Sequence, residues 1–153
     1  SDIFAARGIT ESLPTVSNAD GMAKTEALLA RDFHGLCFVN LVEFDMTYGH
    51  RNDLDGYAAA MSEFDRHLGR ILPMLGERDV LMITADHGCD PGFKESTDHS
   101  RECVPWIILG KGIKRIDLGT KNGFNHIAAT VAQLLGISFD AGCRGVADDI
   151  IGD

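Results

Sequence analysis

The longest periodic stretch of the chain runs from Leu54 to Leu75, where Tyr57, Ala60, Met61, Phe64, Leu68, Ile71, Leu72 and Leu75 recur at steps of three and four residues. That spacing gathers apolar side chains on one face of a helix, with Asp53 as its cap and Pro73 and Gly76 marking its end. An earlier helix is predicted over Ala19 to Arg31, which is rich in Ala, Leu, Met and Lys. Ser17 and Asn18 stand ready to cap it, and Gly35 to end it. A last helix is predicted from Phe124 to Leu135, closed by Gly136.

Between the helices lie near-continuous apolar runs at Leu36 to Phe44, Asp79 to Thr84 and Val104 to Leu109, the pattern of strands buried on both faces. The first two flank the long helix, so they form a β-α-β unit whose strands should be parallel with a right-handed crossover. The fold class is therefore α/β, with a mostly parallel sheet flanked by helices, in a single domain over 1–153. Residues 1–17 read as an irregular entry, 110–119 as a turn-rich link, and the tail beyond Ile137 carries no clear pattern. No repeat, low-complexity tract or linker divides the chain.

At 153 residues the chain can bury roughly 68–70% of its unfolded surface, enough for one core. A net charge of −9 and a pI near 5.0 exclude a nucleic-acid or anionic-membrane partner, since phosphates require a basic face. There is no basic-apolar leader and no run of about 18 apolar residues. Cys37, Cys89, Cys103 and Cys143 form no C-x-x-C pair, and they read as reduced thiols of a cytoplasmic protein. Cys37 lies inside an apolar run and is expected in the core. Cys89 reads as structural in preference to a soft ligand or nucleophile.

The chemistry gathers where apolar runs end. Leu41-Val42-Glu43-Phe44-Asp45 is followed five residues on by His50; Leu81 to Thr84 leads to Asp86-His87-Gly88; and Thr97-Asp98-His99 comes next. Strand ends in one sheet converge without disturbing its packing, so carboxylates and imidazoles there can share a cation. Asp45 and His50 flank the turn at 46–49, and Gly88 lets Asp86 and His87 face one ion or two. His99 lies on a loop long enough to reach back over the strand ends. Mixed Asp/His ligation suits Mn²⁺ or Zn²⁺ better than Ca²⁺ or Mg²⁺. Two such ions ~4 Å apart would clamp a phosphoryl group, and they would reverse the repulsion an acidic site exerts on a phosphate ester. His34, His67 and His126 read as packing or solvated residues.

Together, Asn40 to Asp45, Tyr48-Gly49-His50-Arg51, Thr84 to Gly88 with Asp90-Pro91, and Thr97 to Glu102 before Val104-Pro105 closely resemble the phosphopentomutases of the alkaline phosphatase superfamily. Gly8-Ile9-Thr10, Lys24 and the helix from Ile127 to Gly136 extend the likeness. The resemblance implies a two-Mn²⁺ enzyme that moves phosphate between C1 and C5 of ribose or deoxyribose through a phosphorylated threonine. It assigns Asp86 and His87 to one manganese and Asp45, His50 and His99 to the other, with Asp98 behind them. The chain departs from the family at Asn52, where Arg is usual, and at Cys89, Cys103 and Trp106.

In that family the nucleophilic threonine and a further Asp ligand come from an N-terminal stretch, a cap domain lies between that stretch and the part resembled here, and none has a counterpart in these residues. The chain is thus expected to be the C-terminal portion of an incomplete alkaline-phosphatase-like core. Alone it should bind metal weakly and turn over no pentose phosphate, and its exposed sheet surface invites self-association or a missing segment. Two other readings stay open: a small metal-dependent phosphatase using water as nucleophile, and a non-catalytic interaction module.

Overall fold

A computed structural model describes residues 2–152. Its contacts divide the chain into two units. One holds the residues up to Asp32, Val39–Met74 and Asp86–Val104; the other holds Phe33–Phe38, Leu75–Ala85 and the chain from Pro105 onward.

The first unit is built on two helices. α1 (Asn18–Leu29) starts where the Ser17 side chain accepts a hydrogen bond from the Asp20 amide, 3.1 Å away, and Asp20 pairs with Lys24 one turn on. α2 (Leu54–Ile71) starts at Asp53, whose carboxylate accepts from the Gly56 amide at 2.9 Å, as the sequence predicts. Its apolar face buries Ile71 and sets Tyr57 and Phe64 against the Phe44 ring, with centroids 5.4 and 6.2 Å apart. A polar contact joins the two helices. Glu26 on α1 receives Arg70 Nε and His67 Nδ1, each at 3.0 Å, and His67 is only 8% exposed. These contacts hold the Glu26 carboxyl below its usual range, the His67 bond first and the Arg70 guanidinium after it.

The expected strand over Leu36 to Phe44 does not form. A run buried on both faces needs strands on both sides, and among the described residues no strand pairs with it; Leu36 is 57% and Phe38 55% exposed. Cys37, expected in the core, is exposed for the same reason. What shapes the end of this run is polar. The Asn18 amide donates to Glu43 Oε2, and the Glu43 amide donates to Asn18 Oδ1 at 3.1 Å, pinning Glu43 to the start of α1. The chain then winds through a π-helical turn, Phe44–Tyr48, and a 3₁₀ turn, Gly49–Arg51.

In the second unit, β1 (Leu81–Thr84) and β2 (Trp106–Leu109) pair antiparallel, with Leu81 opposite Leu109 and Thr84 opposite Trp106. The expected parallel sheet is not observed among the described residues: the run before α2 that was to pair with β1 forms no strand, and the pair that does form is antiparallel. Parallel neighbours need a crossover, usually a helix, and residues 85–105 contain none.

α3 (Asn125–Leu134) ends as the sequence predicts. Gly136 takes φ +65°, its amide bonds Gln133 O, and the Ile137 amide reaches back to Ala132 O, a Schellman closure. α4 (Ala147–Ile150) lies in the tail that carried no pattern, and it packs with α3 around Thr130, Ala129, Ala132 and Val146. Beyond it, Lys114 N bonds Ile150 O at 2.7 Å and Ile113 bridges Ile151.

Candidate metal centre

Asp45 lies in the π-helical turn and His50 in the 3₁₀ turn that follows. The wide turn matters because five residues exceed one α-helical repeat of 3.6. Gly49, buried between the two ligands, gives its amide to Asp45 O and Phe44 O. A Cβ there would collide with Cys89 Sγ and sit 3.1 Å from Phe44 O, so the turn accepts only glycine without rearrangement.

Three imidazoles converge on one carboxylate oxygen. Asp45 Oδ1 is 3.3 Å from His50 Nε2, 3.5 Å from His99 Nε2 and 3.7 Å from His87 Nε2. The oxygen is buried and has no hydrogen-bond partner. Two of the rings are fixed from behind by backbone carbonyls: His50 Nδ1 donates to Thr97 O at 2.5 Å, and His87 Nδ1 donates to Gly88 O at 2.9 Å. Each Nδ1 then carries a proton, and in the neutral imidazole this leaves each Nε2 a lone pair to turn toward the carboxylate. Lone pair facing lone pair around a buried anion is the arrangement a cation completes, and a carbonyl on the far nitrogen is the usual support of a ligating histidine. The donor set therefore fits a divalent metal of the Mn²⁺ or Zn²⁺ type. Asp45, His50 and His99 offer ligand atoms all within 4.8 Å of one another.

His87 and His99 stack face to face, with ring centroids 3.6 Å apart and planes 17° from parallel. Imidazole lone pairs lie in the ring plane, so nearly parallel rings direct them to two separate positions. Asp86 is the outlying member of the predicted set. Its carboxylate is 93% exposed, and Oδ1 lies 3.6 Å from His87 Nε2. Asp98 is also exposed; Oδ1 accepts from the His99 backbone amide at 2.8 Å and stands 4.0 Å from its Nδ1.

The surroundings are electronegative. Burial, then the charges of Asp45, Asp90 and Glu102, push the Cys89 thiol up, which keeps it protonated and agrees with a structural role. Burial, Cys89 and Asp45 likewise raise Tyr57. Sequence reasoning found the four converging side chains but missed what aims them. The Thr97 and Gly88 carbonyls are backbone groups without a residue signature. Asn52, which bonds the same loop, was singled out only as a departure from a family pattern.

Among the described residues no helix is long and apolar enough to cross a membrane. Over 138 residues the chain is 56% identical to a phosphopentomutase from Acetivibrio thermocellus, covering 90% of this chain and 35% of that protein. A phosphopentomutase from Anaeromyxobacter sp. (strain K) is 54% identical over 147 residues, and one from Symbiobacterium thermophilum 50% over 151, each alignment covering 38% of the relative. The chain thus spans a little over a third of the length of these curated relatives. The Metalloenzyme superfamily profile matches residues 2–139, and over that span the chain belongs to this superfamily.

Proposed function

We propose that this chain supplies most of the metal ligands of a phosphopentomutase, an isomerase that interconverts ribose or deoxyribose 1-phosphate and 5-phosphate at a two-manganese site. The observation that carries the reading is the buried, unpartnered Asp45 Oδ1 with three imidazole Nε2 atoms within 3.7 Å. Asp45, His50 and His99 hold one ion; His87, with Asp86 beside it, addresses the other. The two nearly parallel stacked rings support this division. When bound, the ions supply positive charge for the phosphate oxygens in an otherwise acidic setting. The chain's own part is to fix the imidazole tautomers through Thr97 O and Gly88 O and to hold the buried Asp45 Oδ1 among them.

The nucleophilic threonine and the remaining ligand fall in the further length of the relatives, so this stretch alone binds metal weakly and catalyses no transfer. Exposed apolar residues such as Leu36, Phe38 and Ile107 support its pairing with that further length or with a second copy. The unpaired thiols fit a cytoplasmic setting.

Elemental analysis after dialysis against Mn²⁺ tests the site, with wild type beside Asp45→Asn and His99→Ala. Bound Mn²⁺ that both substitutions abolish supports the reading, and equal metal in all three refutes it. Isomerisation of ribose 1-phosphate, restored by adding the N-terminal portion of a relative, tests the reaction.

A further inference from the structure

Resting on the cation-site reading above, we propose that Asn52 is a positioning residue whose side-chain amide ties the loop bearing His99 to the turn bearing Asp45 and His50. Asn52 takes the left-handed conformation, φ 51° and ψ 36°, at the end of the 3₁₀ turn, and its amide closes on Gly49 O at 3.0 Å. Asparagine accepts that backbone better than nearly any residue but glycine. The bend aims its Nδ2 across the site, where it donates to both Phe93 O and Ser96 O at 3.2 Å. Both amide protons are thereby spent on carbonyls more than 40 residues away in sequence.

The loop from Pro91 to Asp98 has no helix or strand of its own, so these bonds carry much of its definition. Three of its carbonyls, at Phe93, Ser96 and Thr97, accept hydrogen bonds from just two side chains of the opposite turn, Asn52 and His50. Thr97 O sets the His50 tautomer, and His99 follows two residues later. Freeing Ser96 therefore loosens the partner of one ligand and the anchor of another, without touching either ligand.

The test compares wild type, Asn52→Gly and Asn52→Ala by isothermal titration with Mn²⁺. Hydrogen exchange of the 93–99 amides and thermal midpoints are read in chelator alongside. Asn52→Gly keeps the left-handed backbone and removes only the amide, so Mn²⁺ affinity should fall about tenfold, the lower end for residues that support metal ligands. Exchange at 93–99 should rise in the metal-free protein while the midpoint stays near wild type. Asn52→Ala should show the same loss of affinity plus a lower midpoint. Unchanged affinity and unchanged loop exchange in Asn52→Gly would overturn the proposal. Should wild type bind no Mn²⁺, the cation-site reading itself fails; loop exchange in metal-free protein would then still decide whether Asn52 tethers the loop.

Discussion

Asp45 Oδ1 faces His50 Nε2 across 3.3 Å with no hydrogen-bond donor for the oxygen to accept from. On the proposed reading, a buried carboxylate oxygen held this way is left unsatisfied without a metal and would be satisfied by one. Asp45→Asn should accordingly weaken Mn²⁺ binding by more than about 100-fold, beyond the range typical of supporting residues. It should leave stability in chelator within about 1 kcal/mol of wild type, because an amide can donate to an imidazole where the carboxylate had no partner. Titration calorimetry and urea unfolding in chelator check the two halves separately.

Gly88 gives its carbonyl to both the Ser100 amide, at 3.1 Å, and His87 Nδ1, at 2.9 Å. A Cβ at this position would lie 2.8 Å from Ser100 O and from Glu102 N, both rigid backbone atoms. Gly88→Ala should therefore spread the Gly88–Ser100 bridge and turn His87 away from Asp45. We expect reduced metal affinity together with the loss of the His87–His99 stack, visible as altered imidazole proton shifts in the NMR spectrum.

Glu26 sets an acid limit on the pairing of α1 and α2. Its folded carboxyl titrates below the ordinary 4.5, so its contribution is complete above that pH and is lost as the pH falls through the lower folded value. Wild type minus Glu26→Gln, followed by urea midpoints across the acid range, should give a difference that is constant above pH 4.5 and shrinks below it. A difference independent of pH would show that the His67 and Arg70 contacts do not favour the charged carboxylate.

Thr130 has no exposed surface, donates Oγ1 to His126 O at 2.7 Å and accepts the Val146 amide at 2.9 Å. Thr130→Val keeps the shape but strands a buried amide, which should cost about 1–3 kcal/mol. Thr130→Ser retains both bonds and should lie closer to wild type than Thr130→Val does. Denaturant unfolding of the three proteins ranks them.

Local signals in the chain were strong wherever one element suffices to satisfy itself. Ser17 and Asp53 cap α1 and α2, the steps through Tyr57, Phe64 and Ile71 mark the face on which α2 packs, although Met61 within them stays exposed, and Gly136 closes α3. Strands gave weaker guidance because a strand is completed by its neighbours. The run from Leu36 to Phe44 reads as a buried strand, yet among the described residues no strand pairs with it, and the direction of β2 against β1 is written in no residue of either. Asp45, His50, His87 and His99 were legible as chemistry because three Asp/His clusters follow successive apolar runs, whereas any one of them alone reads more readily as a hydrogen-bonded turn. The Glu26–His67 contact was not, because 41 residues separate two side chains that each look ordinary on a helix surface.

The π-helical turn at Phe44–Tyr48 makes the site sensitive to length as well as to composition. Each residue of a helix advances the chain by about a quarter turn. Deleting any one of Met46, Thr47 or Tyr48 would leave every candidate ligand in place in the sequence while swinging His50 away from Asp45. If the site holds a metal as proposed, a homologue could replace all three and keep it, yet one lost codon between Asp45 and His50 would silence the centre, so the spacing is itself a heritable part of the site.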